Sequence, residues 1–329
     1  MKKYRFQHIF IIVIVITLIC GGCNNEYGQG GPSYEEKQKD LFISAIVNDI
    51  NSDSLRKYVI WLQNMNTRFM LAGNHRQIAE KLMKKFIQLG YPETRLDSFN
   101  ITTTYDGVIY NTWQFNVIAT LRGVNYPDSI SVIGAHYDDI IADGTGDPFL
   151  LVPGANDNAS GVAATLEIAR IIKKESFIPA STIHFVTFAA EELGLYGSYD
   201  YAQKANARQD NIIMMLNNDM IAFPASTSHI NWCVNIIDYN NSGYLRSEAE
   251  ELCGKHTFLW SINDNSLSGR SDSYPFYLNG FKPLFFIEKE LGITYHTVDD
   301  LVTSLDFIYC REIAKISCAM LIDKNYIRQ

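Results

Sequence analysis

Residues 181–194 read S-T-I-H-F-V-T-F-A-A-E-E-L-G, an apolar, β-branched run that ends in two adjacent carboxylates and a glycine. The segment 181–189 has the composition of a strand buried on both faces, as in a sheet covered by helices on each side. Two neighbouring anions at the end of such a strand repel each other, and an unpaired buried carboxylate costs on the order of several kcal/mol. Alone, Glu191 and Glu192 would suit the first turn of a helix, where acidic residues oppose the dipole. The flanking sequence offers a second reason for them.

Upstream, residues 53–90 carry a helical pattern that closes at Gly90, and β-type runs follow at 97–104, 114–122 and 130–136. Around and beyond the quoted strand the pattern alternates: helix 159–174, strand 181–189, helix 195–205, strand 211–220, strand 230–237, helix 242–254, strand 282–288 and helix 306–325. Apolar strands separated by amphipathic helices predict an α/β fold, a three-layer αβα sandwich around a mixed, mostly parallel sheet. The chain has 329 residues, 47% of them hydrophobic, so residues 41–329 can form one large domain.

The formal charge is −8, and no basic stripe breaks it. That argues against a nucleic-acid partner, since phosphate binding depends on clustered Lys and Arg. Lys2, Lys3 and Arg5 precede an apolar run, Ile9 to Ile19, that is too short to span a bilayer comfortably. It ends in C-G-G-C, which resembles a bacterial lipoprotein signal, with Cys20 where such signals usually carry Leu. The expectation is a signal peptide over 1–22, a lipid anchor at Cys23, a Gly-rich tether over 23–40 and an exported protein held at a bacterial membrane in the cell envelope; a plain secretory signal is the milder alternative. Beyond the signal, Cys233, Cys253, Cys310 and Cys318 form no C-x-x-C pair, so a thiolate metal site is not expected. Export permits a Cys233–Cys253 bridge, but buried free thiols are the preferred reading.

In sheets of this kind, sites gather beyond the carboxyl ends of the strands. Those ends carry His136, Asp138 and Asp139, then Glu191 and Glu192, then Asp219 within M-L-N-N-D-M, then His296, while Asp157 precedes the helix at 159. Two imidazoles and several carboxylates on one edge repel unless a cation sits among them. A nitrogen and oxygen set without thiolate suits zinc, with cobalt or manganese as substitutes. His136, Asp157, Glu192, Asp219 and His296 make five candidate ligands, more than one metal needs and fitting for two that share a carboxylate.

The motifs G-A-H-Y-D, D-N-A-S-G, E-E-L-G, N-N-D-M, S-D-S-Y-P-F and Y-H-T follow in order along residues 133–297. In these motifs the chain resembles the zinc exopeptidases of the aminopeptidase S and aminopeptidase Y kind, of metallopeptidase clan MH. The resemblance implies two zinc ions, one held by His136 and Asp219, the other by Glu192 and His296, with Asp157 bridging. It implies hydrolysis of N-terminal peptide bonds of peptides by a metal-activated water, with Glu191 as general base. Tyr295 would help stabilise the oxyanion, and a cis peptide would follow Asp157. Asp138, two residues along an extended segment from His136, can accept the imidazole's other N–H. The chain departs from the family pattern where N-N-D replaces N-x-D with an apolar middle residue, and S-D-S-Y replaces S-D-H.

Two other readings compete. A glutaminyl cyclase uses the same fold with one zinc, but tends to carry Trp where this chain has Tyr295. A non-catalytic peptide-binding module would have lost ligands, and this set is intact. Attack from the amino end is expected because Arg270 is the only nearby basic residue and Asp272 stands two positions away to neutralise it. Asp299 and Asp300 read as turn caps, and His184 as a satisfied core histidine. His75, His229 and His256 read as surface or packing residues. Trp260, Phe276 and Tyr277 would wall a specificity pocket or pack in the core.

Overall fold

The computed structural model describes residues 33–327. The signal over 1–22 and the anchor at Cys23 lie outside the described residues, and no helix among those described is long and apolar enough to cross a membrane. The chain opens with helices α1 (Tyr34–Val47), α2 (Ser52–Gln63) and α3 (His75–Gln88), then a hairpin of β1 (Thr94–Tyr105) and β2 (Val108–Leu121). β3 (Tyr126–His136), α4 (Gly161–Lys174), β4 (Ser181–Phe188), α5 (Tyr196–Arg208) and β5 (Asn211–Asn218) form the alternating centre. β6 (Cys233–Ile237), α6 (Gly243–His256), β7 (Trp260–Ile262), α7 (Ser273–Leu278), β8 (Pro283–Glu288) and α8 (Phe307–Asn325) complete it.

The eight strands form one sheet in the order β1-β2-β4-β3-β5-β8-β6-β7. β4, β3, β5 and β8 run parallel, as do β6 and β7, while β1–β2, β2–β4 and β6–β8 are antiparallel. In β4, Ile183 and Phe185 point into the larger apolar cluster, shared with α3, α4 and α8, while Val186 and Phe188 point into a smaller one beneath α5 and α7. Both faces of the quoted strand are therefore largely apolar, with His184 its one partly exposed residue.

Two local signals went unread. α1 begins at Tyr34, inside the segment expected to be a tether, and the correction has a clear cause. Ser33 and Glu36 form a reciprocal capping box, the S-x-x-E pattern that starts a helix. The hairpin turn is Asp106–Gly107, both with positive φ (47° and 72°), as a two-residue Asp-Gly turn requires. It lengthens both strands beyond the expected runs. The four described cysteines are free, Cys253, Cys310 and Cys318 of them buried, so no Cys233–Cys253 bridge forms.

Candidate active site

The carboxyl ends of four neighbouring strands deliver the site. β3 stops at His136, β5 is followed by Asp219, and the chain beyond β4 turns at Ala190 to present Glu191 and Glu192. Residues 289–296 bring His296 back after β8, and its carbonyl accepts from the Ala142 N–H at 3.0 Å. Asp157 comes from the entry to α4, where the Asp157–Asn158 peptide is cis. Ala190, Met220 and His296 have φ of 59°, 54° and 57°, left-handed backbone that non-glycine residues adopt at a cost of roughly 1–2 kcal/mol each. All three sit in or beside this cluster.

The five candidate ligands converge. His136 Nε2 lies 3.2 Å from Asp157 Oδ1 and 3.3 Å from Asp219 Oδ1. His296 Nε2 lies 3.0 Å from Asp157 Oδ2 and 2.9 Å from Glu192 Oε2. Asp157 thus offers one oxygen to each imidazole. Glu191 Oε2 stands further off, 3.9 Å from His136 Nε2. Beside the acids, Met220, Leu267, Phe285, Ile287, Leu291 and Tyr295 wall a cavity of about 100 Å³. The Tyr295 ring stacks on His296 with centroids 3.7 Å apart.

Electrostatics sets these groups against one another. Burial pulls His136 down, but the carboxylates of Glu191 and Asp219 outweigh it and hold the imidazole well above its usual range. His296 is likewise lowered by burial, then carried up to about 10 by Asp157 and Glu192. Glu192 is pushed up to about 8, first by burial and then by Asp157. Glu191 is raised by burial, with His136 opposing and Glu192, Asp272 and Asp219 adding to it. Burial among these acids also raises the Tyr295 hydroxyl, which stays protonated and able to donate.

This donor set fits divalent zinc. Glu192 Oε1, Asp219 Oδ1 and His296 Nε2 are buried yet meet no partner in hydrogen-bonding geometry, an arrangement that native interiors otherwise avoid. Donor separations of 2.9–3.3 Å match the roughly 3.3 Å edge of a tetrahedron drawn with zinc–nitrogen and zinc–oxygen bonds of about 2.0 Å. Histidines drawn toward protonation by carboxylates gain by exchanging those protons for a metal cation.

Three supporting side chains escaped the sequence reading. Arg68 is buried, and its guanidinium donates to the carbonyls of Tyr137 (2.8 Å), Pro153 (3.0 Å) and Gly154 (2.7 Å) and pairs with Asp139 at 3.1 Å. It ties the His136 and Asp157 loops together. Gly154, at φ 48°, leaves space for it, since a Cβ there would meet Arg68 Nη2 at 2.5 Å. The only hint was a lone cation in the apolar run T-R-F-M-L. Asp300 does more than cap a turn, accepting the N–H groups of Asn156 and Asp157 at 2.9 and 3.0 Å. Glu288, closing an apolar strand, accepts the Asn156 side-chain amide at 2.9 Å.

Two expectations need correction, and one left open is decided. The Asp138 carboxylate is 3.8 Å from His136 Nδ1, too far to accept its proton. The backbone carbonyl of Asp138 sits nearer, at 3.2 Å, because the strand ends at His136 and the chain bends. The carboxylate instead accepts the N–H groups of Glu191 and Glu192 at 3.0 and 3.2 Å, holding the acidic turn in place. Arg270 does not pair with Asp272: the carboxylate is buried and raised to about 7, chiefly by burial, whereas Arg270 is exposed and lines the cavity. Of the proposed pocket walls, Phe276 is in the core, Tyr277 stacks on Tyr239, and Trp260 is exposed with its indole on the Ile230 carbonyl.

A model of peptidase family M28 matches residues 116–321. A probable leucine aminopeptidase of Trichophyton verrucosum is 32% identical over 211 residues, covering 62% of this chain and 54% of its own length. The chain thus spans about half the length of that relative. Among solved structures, the LapA aminopeptidase of Legionella pneumophila superposes with TM-score 0.72 at 20% identity, over 92% of this chain and 79% of that one. The Bacteroides thetaiotaomicron glutaminyl cyclase superposes with TM-score 0.65 at 18% identity, over 83% and 97%. At such identities the superpositions speak for the fold alone.

Proposed function

The chain belongs to peptidase family M28, and on that premise we propose that it is a two-zinc aminopeptidase that removes N-terminal residues from peptides. The observation that carries this reading is the pair of imidazoles joined through the two oxygens of Asp157, at 3.2 and 3.0 Å. His136 and Asp219 would hold one zinc, Glu192 and His296 the other, and Asp157 would bridge. Bound there, the metals supply positive charge that polarises the scissile carbonyl and lowers the pKa of water. Glu191, beside the ligands without being one, takes a proton from the attacking water and returns it to the leaving amine. Tyr295 donates its hydroxyl hydrogen toward the developing oxyanion. The remaining acidic surface meets the free α-amine, and the apolar wall accepts an apolar first side chain. The corrected position of Arg270 removes the charge argument for the amino direction, which now rests on the acidic cluster and the named relatives.

Metal analysis combined with leucine and phenylalanine anilides, their N-acetyl forms and an N-terminal Gln peptide tests the reading. The expected outcome is near two zinc per chain, cleavage of the free-amine substrates and little action on the acetylated ones. Equal cleavage of both, release from the carboxyl end, or cyclisation of Gln without hydrolysis overturns it. The basic start, short apolar run and C-G-G-C further support the proposal of an exported protein anchored through Cys23. Cys23→Ser should then move the protein from the membrane fraction to the soluble one.

A further inference from the structure

Arg270 is the single arginine or lysine lining the acidic cavity among the described residues, and no carboxylate pairs with it. Its place is set firmly. The next residue, Ser271, donates to Asp219 Oδ2 at 2.6 Å and accepts from the Asn217 amide at 2.6 Å. The Arg270 N–H closes a turn onto the Leu267 carbonyl at 3.0 Å. Next to a serine that hydrogen-bonds a candidate metal ligand, the chain therefore carries an exposed arginine whose nearest acid in sequence, Asp272, is buried and does not pair with it.

The cavity carries both signs of charge: four carboxylates and one guanidinium line it. A short peptide has the complementary charges, an amine and a carboxylate about 7 Å apart when two residues are extended. Arginine's planar fork matches a carboxylate in two parallel hydrogen bonds. A cavity of about 100 Å³ holds little more than one side chain, so the next residue lies toward solvent, and Arg270 is an exposed residue of the lining. Resting on the aminopeptidase reading, we propose that Arg270 binds the C-terminal carboxylate of the substrate and makes dipeptides and tripeptides the preferred class.

The test uses the zinc-loaded full chain with Leu-Gly, Leu-Gly amide and Leu-Asp amide, in wild type, Arg270→Gln and Arg270→Lys. Wild type should favour Leu-Gly over its amide by about tenfold in kcat/KM, mostly through KM, the size of one exposed charge-assisted pair. Arg270→Gln should bring that ratio close to one, and Arg270→Lys should keep part of it. Calorimetric binding of Leu-Gly and its amide to the slow Glu191→Gln variant should give the same preference, and that readout does not depend on turnover. Equal handling of acid and amide by wild type, or a ratio unchanged in Arg270→Gln, overturns the proposal. A Leu-Asp amide handled as well as Leu-Gly overturns the chain-end assignment, since a side-chain carboxylate would then serve equally. If no peptide or anilide is cleaved, the aminopeptidase reading falls while calorimetry still decides the role of Arg270.

Discussion

His136 and His184 stand on neighbouring strands of one sheet, four residues apart in register, since His136 lies opposite Phe188. Their environments drive them in opposite directions. His184 meets the Tyr201 hydroxyl at 2.7 Å, and burial, then Arg95, hold its pKa down near 4. Around it two arginines are paired within the chain, Arg122 with Glu93 at 2.9 Å and Arg208 with Asp210 at 2.6 Å. His136 is more deeply buried, yet its neighbours are carboxylates and it is pulled up. At that edge Glu191, Glu192 and Asp219 have no arginine or lysine pair among the described residues. Arginines near His184 find acids within the chain, whereas the carboxyl-terminal edge gathers carboxylates that only imidazoles meet among the described residues.

Chelation should separate the two edges most sharply. Removing zinc should abolish activity and lower the Tm by roughly 10 °C, as expected for loss of a ligand held about a thousandfold above its Kd. Zinc should restore both, and an unchanged melting curve would break the contrast. Within the carboxyl-terminal edge, Glu191→Gln should keep zinc and lower kcat by about 10²–10⁴, the worth of a general base. Glu192→Gln should lose zinc as well. Identical metal content in the two variants would refute that division.

Arg68→Ala should cost about 3–5 kcal/mol in chemical denaturation, because Asp139 is left buried and unpaired. Arg68→Lys should recover little, having no planar fork to reach three carbonyls. The smallest effect belongs to the other edge. The folded pKa of His184, about 4, lies below the unfolded value of 6.5. Its contribution is therefore present above pH 6.5 and lost as pH falls through 4, a change of about 1–3 kcal/mol. His184→Gln should flatten stability against pH over that window, measured by denaturant midpoints, without changing metal content. An unaltered slope would show that the acid sensitivity comes from the carboxyl-terminal edge instead.

How much was legible from residues alone follows the same divide. The ends of strands carry local signals: an apolar run stops, a polar motif starts, and the topology rule says where they gather. His136, Glu192, Asp219 and His296 are legible this way and Asp157 from the motif that starts a helix, and the structure brings all five together. The helix at Tyr34 and the Asp106–Gly107 hairpin were also written locally, in S-Y-E-E and Y-D-G-V, and went unread. Arg68, Asp300 and Glu288 had almost no local signal, because their partners lie 85, 143 and 132 residues away along the chain.

The sequence by itself determined the alternation of buried strands and helices and the residue types waiting at the strand ends, because periodicity and polarity act over a few residues. Only the tertiary structure decided who meets whom. Asp138 and His136 share a face in an extended chain, but the end of β3 turns the carboxylate onto the Glu191 and Glu192 N–H groups. Arg270 and Asp272 are two residues apart, yet one is buried and the other faces the cavity. Pairing of charges is settled by three-dimensional packing and solvent exposure, where separation along the chain carries no information.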